Sequence, residues 1–244
     1  MVRVNKNIKV GCCGFPISQK KYFENFNLVE IQKTFYQIPE EDTLIKWRKK
    51  AQKEFEFTLK AWQLITHPPS SPTYKRLKIE LSDKEKKNYG FFKPTDEVFK
   101  AWEKTKKAAE ILESKIIIFQ CPSSFKQTDE NIKNMENFFN SIKNDSFIMG
   151  WEVRGNWEED VIIGICRNLK LIHVVDPFKE KKLYGDIAYW RLHGIGGYRY
   201  RYTEEDFSKL IQFIKNENSS LIYILFNNVY MGEDALNFLK ILKG

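Results

Sequence analysis

Lys115-Ile116-Ile117-Ile118-Phe119-Gln120 is a short run, apolar almost throughout, β-branched and closed by a polar residue. Such a run suits a strand covered on both faces, as strands of parallel sheets are. Seven more segments resemble it: Ile8–Cys12, Leu28–Gln32, Phe55–Lys60, Phe147–Arg154, Lys170–Asp176, Ile187–His193 and Leu221–Asn227. Amphipathic stretches fill most of the gaps between them. The spacing predicts helices over Glu41–Lys53, Asp96–Glu113, Asp129–Ile142, Trp157–Asn168, Glu204–Asn216 and Glu233–Leu242. Thr203, followed by Glu204-Glu205-Asp206, reads as an N-cap with an acidic first turn. The gaps Ser18–Phe26 and Pro177–Tyr184 are short, with room for a turn or two.

Eight strand–helix units at about thirty residues each fit the roughly 250 residues of a closed (β/α)8 barrel. The expected fold is therefore α/β, a single TIM-type barrel domain spanning 1–244. An open doubly wound sheet lacks its fingerprint, because Gly11-Cys12-Cys13-Gly14 is not Gly-x-Gly-x-x-Gly. Residues 66–95 break the rhythm. They form a long insertion after strand three, opening on Pro68-Pro69-Ser70-Ser71-Pro72, and are expected to lie over the strand C-terminal face.

Residues two apart on a strand share a face. Glu30 with Gln32, Glu152 with Arg154, and Arg191 with His193 therefore point the same way, each pair ending an apolar strand. Lys60, Gln120, Asp176 and Asn227 hold equivalent end positions. In a (β/α)8 barrel that end carries the active site. The expected catalytic group is Glu30, Lys60, Glu152, Asp176 and His193. The expected substrate- or anion-binding group is Arg154, Arg191, Gln120, His67, Gly194, Tyr198 and Asn227. The competing possibility is an internal ion network that merely closes the barrel top, although buried ion pairs stabilise poorly relative to apolar packing. His173 lies off this parity among apolar neighbours and reads as structural. Gly194-Ile195-Gly196-Gly197, followed by alternating Tyr and Arg through Tyr202, could cradle a phosphate or stack on bases.

The ordered set Gly11…Gly14, Val29-Glu30-Ile31-Gln32-Lys33-Thr34-Phe35-Tyr36, Lys60-Ala61, Thr66-His67, Phe119-Gln120-Cys121-Pro122, Trp151-Glu152-Val153-Arg154, Tyr189-Trp190-Arg191-Leu192-His193-Gly194 and Phe226-Asn227-Asn228 resembles the family called domain of unknown function 72 (YecE-like). The resemblance implies a TIM barrel and no established reaction. The chain departs from the family pattern at Gln32, Cys12-Cys13 and Cys121, which concerns the rim of the pocket rather than its charged set.

A net charge of +8 favours anionic partners, though the lysines are dispersed as on an ordinary solvated surface. The expected activity is acid/base chemistry on a small phosphate- or carboxylate-bearing substrate. Arginines would clamp the anion, Glu152 or Glu30 would act as base and His193 as acid or shuttle, with Lys60 an electrostatic stabiliser or Schiff-base nucleophile. The alternatives are a nucleic-acid-binding protein and a metal-dependent phosphoesterase-like enzyme. Glu30, Glu152, Asp176 and His193 could hold a divalent metal, but the neighbouring Arg and Lys compete for the carboxylates, so no metal or other cofactor is expected. Four cysteines without C-x-x-C spacing form neither a disulfide framework nor a zinc ribbon. Without a signal peptide or a membrane-length apolar run, a cytoplasmic, membrane-free protein is expected. Nothing in the sequence specifies an oligomeric state.

Overall fold

The computed structural model describes residues 6–142 and 146–243. Eight strands form a closed barrel in sequence order: β1 Asn7–Cys12, β2 Leu28–Ile31, β3 Glu56–Lys60, β4 Ile116–Gln120, β5 Ile148–Glu152, β6 Leu171–Val175, β7 Ile187–Leu192 and β8 Leu221–Phe226. Every neighbouring pair is parallel, and β1 closes on β8 with Asn7 opposite Leu221 and Cys12 opposite Phe226. The single TIM-type barrel read from the sequence is the fold found.

The helices in chain order are α1 Gln19–Asn25, α2 Lys33–Tyr36, α3 Glu41–Lys50, α4 Gln63–Thr66, α5 Asp83–Lys86, α6 Asp96–Ile111, α7 Asp129–Ser141, α8 Glu159–Leu169, α9 Glu204–Asn216 and α10 Met231–Lys243. Threonine hydroxyls start three of the long ones: Thr95 accepts from Val98 N–H, Thr128 from Asn131 N–H, and Thr203 from Asp206 N–H in a full capping box. Trp157, expected inside α8, stands before it. Its indole N–H donates to the Phe125 carbonyl and its ring packs on Phe125 and Trp151, so the helix starts after Glu158. The connection from β6 to β7 holds a turn and no helix, and Tyr184 O accepts from His173 N–H along the edge of β6.

Alternation along the strands sorts the core into two layers. Ile116 and Ile118 join Leu28, Ile172, Val174 and Tyr189 inside the barrel. Ile117 and Phe119 face outward into the larger cluster beneath the helices, with Trp102 and Phe138. Cys12 and Cys13 divide the same way, one in each cluster, and all four cysteines are free and buried. The interior is tightly filled at Gly150, where an added Cβ would come within 2.8 Å of both Val174 and Ile118 side chains.

Residues 66–95 include a 3-10 helix over Pro72–Arg76 and the short α5. Their neck is stitched to α4: Gly90 N–H donates to Leu64 O and Phe92 N–H to Ile65 O, each at 2.9 Å. Phe92 is fully buried among Phe119, Phe125, Phe138 and Phe139. The arm is thus plugged into the outer core at its C-terminal end. No described helix is long and apolar enough to cross a membrane.

Candidate active site

The inward-facing residues at the strand ends converge on Arg191. Its guanidinium, fully buried, grips Glu30 bidentately (Nε to Oε2 at 3.1 Å, Nη2 to Oε1 at 2.9 Å). Nη1 also donates to Glu152 Oε2 and, at 3.1 Å, to Gln120 Oε1. Glu30, itself without exposed surface, additionally accepts from Gln32 Nε2 and, at 2.9 Å, from the Tyr189 hydroxyl. A phenol has one proton. Because Tyr189 donates it to the carboxylate, the Thr58 hydroxyl must be the donor in its 2.7 Å contact with Tyr189. Both carboxylates of this ion group thus meet several donors, which is the condition under which a buried ion network is tolerable.

Glu152 passes the network outward. Its Oε1 accepts from Arg154 Nε at 2.8 Å, and Arg154 Nη2 lies 2.6 Å from His193 Nε2. An arginine N–H can only donate, so Nε2 is the unprotonated nitrogen and the imidazole proton sits on Nδ1. That nitrogen lies 3.5 Å from Asp176 Oδ2, which also accepts the His193 backbone N–H at 2.9 Å. Asp176 thereby holds both backbone and ring. Burial lowers the His193 pKa, with Arg191 and Arg154 adding to the effect against Asp176 and Glu152, in the same direction as the neutral ring that the Arg154 donor requires. Burial opposes ionisation of Glu152, but Arg191, Arg154, His193 and Lys60 outweigh it and hold the carboxyl well below the usual range.

A cavity of about 500 Å³ opens beside this network. It is lined by the expected residues Lys60, His67, Gln120, Tyr198 and Asn227. Cys13, Gln32, Phe35, Tyr36, Thr73 and Arg76 complete its wall. Gln32, Gln120 and Cys13 each touch Glu30 or Arg191, so the ion network stands directly behind that wall. A roomier groove of about 970 Å³ follows residues 177–186 against Trp190 and Phe213, and none of the strand-end candidates lines it.

The remaining expected residues take distinct places. Lys60 is 5% exposed, its Nζ 3.5 Å above the centre of the Phe35 ring. Burial lowers its pKa to about 7, Arg191 and Arg154 assisting against Glu152 and Glu30. His67 packs edge-on against Phe35 and bonds Thr66 Oγ1 through Nδ1; burial, then Lys60 and Arg154, lower its pKa to about 3. Arg191 and Gly194 are committed to protein partners. Arg191 spends its donors on the network and has no exposed surface for an anion, while the Gly194 N–H donates to the Tyr202 hydroxyl at 2.9 Å. Gly194 has φ +88°, and a Cβ there would lie 2.2 Å from Gly197 O. The glycine-rich loop is therefore a tight turn closed over Tyr202. Arg154, about one-third exposed, is the network's accessible cation.

Sequence reasoning missed Tyr189 and Thr58, which read as ordinary strand formers. It missed Phe35, Tyr36, Thr73 and Arg76 because they reach the cavity from α2 and the arm, where strand parity says nothing. Cys13 carried the parity signal, two residues beyond Gly11 on β1. Among the described residues no three His, Cys, Asp or Glu form a group able to hold a metal. The donor chemistry accounts for this: Glu30 and Glu152 are both bound to Arg191, a cation where a metal would have to sit. The residues do not fit a divalent-metal centre.

The sequence profile of the family described as "Protein of unknown function DUF72" matches residues 19–243. No curated protein matches the sequence significantly. Among solved structures, a DUF72 family protein from Enterococcus faecalis V583 is similar at 20% identity and TM-score 0.74, covering 98% of each chain. One from Thermotoga maritima MSB8 is similar at 22% identity and TM-score 0.68, over 98% of this chain and 100% of the other. A xylose isomerase domain containing protein from Salmonella typhimurium LT2 reaches TM-score 0.61 at 12% identity, covering 99% of this chain and 97% of its own.

Proposed function

Since this chain belongs to the DUF72 family, whose name assigns no reaction, we propose from its own geometry that it is an enzyme acting by acid/base chemistry on a small anionic substrate at the C-terminal face of the barrel. The observation that carries this reading is the neutral His193, held between Asp176 and Glu152 with a partly exposed arginine on its free nitrogen. A fixed tautomer with an unprotonated Nε2 is the arrangement a general base needs. Glu152, strongly ionised, is a poor proton acceptor and better suited to stabilise the imidazolium that forms. This shifts the base from the glutamates to His193.

Arg154 and Arg76 supply charge for a phosphate or carboxylate. When the anion takes Arg154, the guanidinium leaves Nε2 and the base is unmasked. Arg191 and Glu30 act as positioning residues that fix Glu152. The amides of Gln32, Gln120 and Asn227 offer hydrogen bonds to hydroxyl groups, in keeping with the xylose isomerase domain named for the Salmonella protein.

Two measurements test the reading. Calorimetric titration with inorganic phosphate should give saturable binding, weakened about tenfold in Arg154→Ala, the usual size of one charge-assisted contact. Deuterium exchange from D2O into a panel of phosphorylated and carboxylated hydroxy compounds should be lost in His193→Gln and strongly reduced in Glu152→Gln, both still folded. Wild-type protein that binds no anion and exchanges no proton ends the proposal.

One observation favours nucleic-acid binding as the second reading. Tyr198 and Tyr230 are 58% and 37% exposed on the loops after β7 and β8, with the Arg201 guanidinium 5.2 Å above the Tyr230 ring. Affinity for single-stranded DNA or RNA that falls steeply with salt would support it. Absent or salt-insensitive binding would remove it.

A further inference from the structure

Of the five expected catalytic residues, Lys60 is the one that the ion network leaves out. Glu30 and Glu152 are both bound to Arg191, and among the described residues no carboxylate pairs with Lys60 and no acceptor takes a hydrogen bond from its Nζ. A buried ammonium normally has such partners, because desolvation without compensation is costly. Here the side chain is only 5% exposed, rests on the face of Phe35, and lines the 500 Å³ cavity. The other ionisable groups on that wall are Arg76, which stacks 3.6 Å above the Tyr36 ring, the neutral His67, the buried thiol of Cys13, Tyr36 and the exposed Tyr198. No carboxylate among the described residues lines it.

We propose that Lys60 is an imine-forming nucleophile, so that the small anionic substrate is an aldehyde or ketone whose carbonyl meets Nζ while its phosphate or carboxylate meets Arg76. This rests on the anion-site reading above and narrows it to a substrate class. In the step, the neutral amine adds to the carbonyl carbon to give a carbinolamine. The C–O bond then breaks, the oxygen leaves as water with the two amine hydrogens, and a C=N bond joins the substrate to Lys60. No oxidant or reductant is consumed. The amine is available because burial and the neighbouring guanidinia disfavour its charged form, placing the titration at about 7, although the Phe35 ring face and the two glutamates pull the other way. The aromatic support and the lack of a salt bridge leave Nζ free to meet a ligand in the open space.

Trapping tests it on the unaltered protein. Wild-type protein is incubated at neutral pH with dihydroxyacetone phosphate and cyanoborohydride, which delivers hydride to the imine carbon and leaves a stable secondary amine. Peptide mapping should find Lys60 labelled at least tenfold faster than the surface lysines, with inorganic phosphate suppressing it. In Arg76→Gln the rate at Lys60 should fall for dihydroxyacetone phosphate and hold for uncharged dihydroxyacetone. Calorimetry with dihydroxyacetone phosphate alone separates the two proposals. Binding without label at Lys60 overturns the imine and leaves the anion site standing; neither binding nor label overturns both.

Discussion

Arg191 makes one guanidinium answer two carboxylates, and the arrangement is an all-or-none one. Remove the cation, and Glu30 and Glu152 remain buried with like charges facing each other. Arg191→Met should therefore destabilise the fold by about 3–5 kcal/mol, the usual cost of breaking a buried pair from one side. Adding Glu30→Gln and Glu152→Gln to the same protein should recover much of the loss, because the orphaned charges go with the arginine. Urea unfolding of the single and triple variants measures both; equal stability of the two would mean the network is solvated. Asp176 supports the tautomer that Arg154 imposes on its neighbour, so Asp176→Ala should weaken the preference for a proton on Nδ1, visible in imidazole 15N shifts, and reduce any turnover without unfolding the barrel. Strand position was enough to single out both residues in the sequence, since a charge closing an apolar strand is costly to bury unless partners meet it across the barrel. Parity could not say that Arg191 would be consumed internally while Arg154 stays partly open, because that depends on which side chain the Glu30 carboxylate reaches first across the barrel. Nor could it flag Tyr189, whose ring belongs to the core while its hydroxyl belongs to the site.

At the level of elements, the strands were readable because two-sided burial leaves few residue types for them, Ile116-Ile117-Ile118 being the plainest case. Several ladders end a residue or two earlier than the apolar pattern suggests. Gln32, Asp176, His193 and Asn227 lie just past the last residue of their strands, where the chain turns away from the barrel and their side chains enter the site. The short α2 and α4 escaped a periodicity argument, since four residues make barely one turn. The arm could be recognised as out of pattern, but its fixing point could not. Phe92 looks like any loop aromatic until the four phenylalanines around it are brought together from β4, α7 and the loop between them. Phe92→Ala should cost about 3–5 kcal/mol and loosen the arm. Limited proteolysis should then cut between 68 and 89 in the variant well before it cuts the wild type. Unchanged cleavage would show that the 3-10 helix, through Tyr74 and its hydrogen bond to the His67 carbonyl, holds the arm alone.

The whole molecule couples this site to pH through histidines that the fold keeps neutral. Burial takes His67 to about 3 and His173 to about 4, and lowers His193 as well, whereas in the unfolded chain all three titrate near the ordinary value of about 6.5. Below that value the unfolded state binds more protons than the folded one. Stability is thus fully present above it and drains as pH falls toward the folded values. Glu180 and Asp234, whose carboxyls are raised by burial first, work in the opposite sense, but only where carboxylates titrate. Between about pH 6 and 5 the histidines therefore dominate, and His67 and His173 each contribute close to a tenfold loss in the folding equilibrium per pH unit. His67 and His173 together should give about a hundredfold fall per unit, read as a shrinking urea midpoint. His173 is the cleaner probe. It accepts the Leu183 N–H at 3.2 Å through Nδ1, its Nε2 has no partner among the described residues, and it takes no part in the cavity. His173→Gln should flatten the slope by one proton while leaving phosphate binding unchanged. A wild-type midpoint that is level from pH 6.5 to 5 would mean that these rings are already charged in the folded protein, and the neutral base at His193 would fall with them.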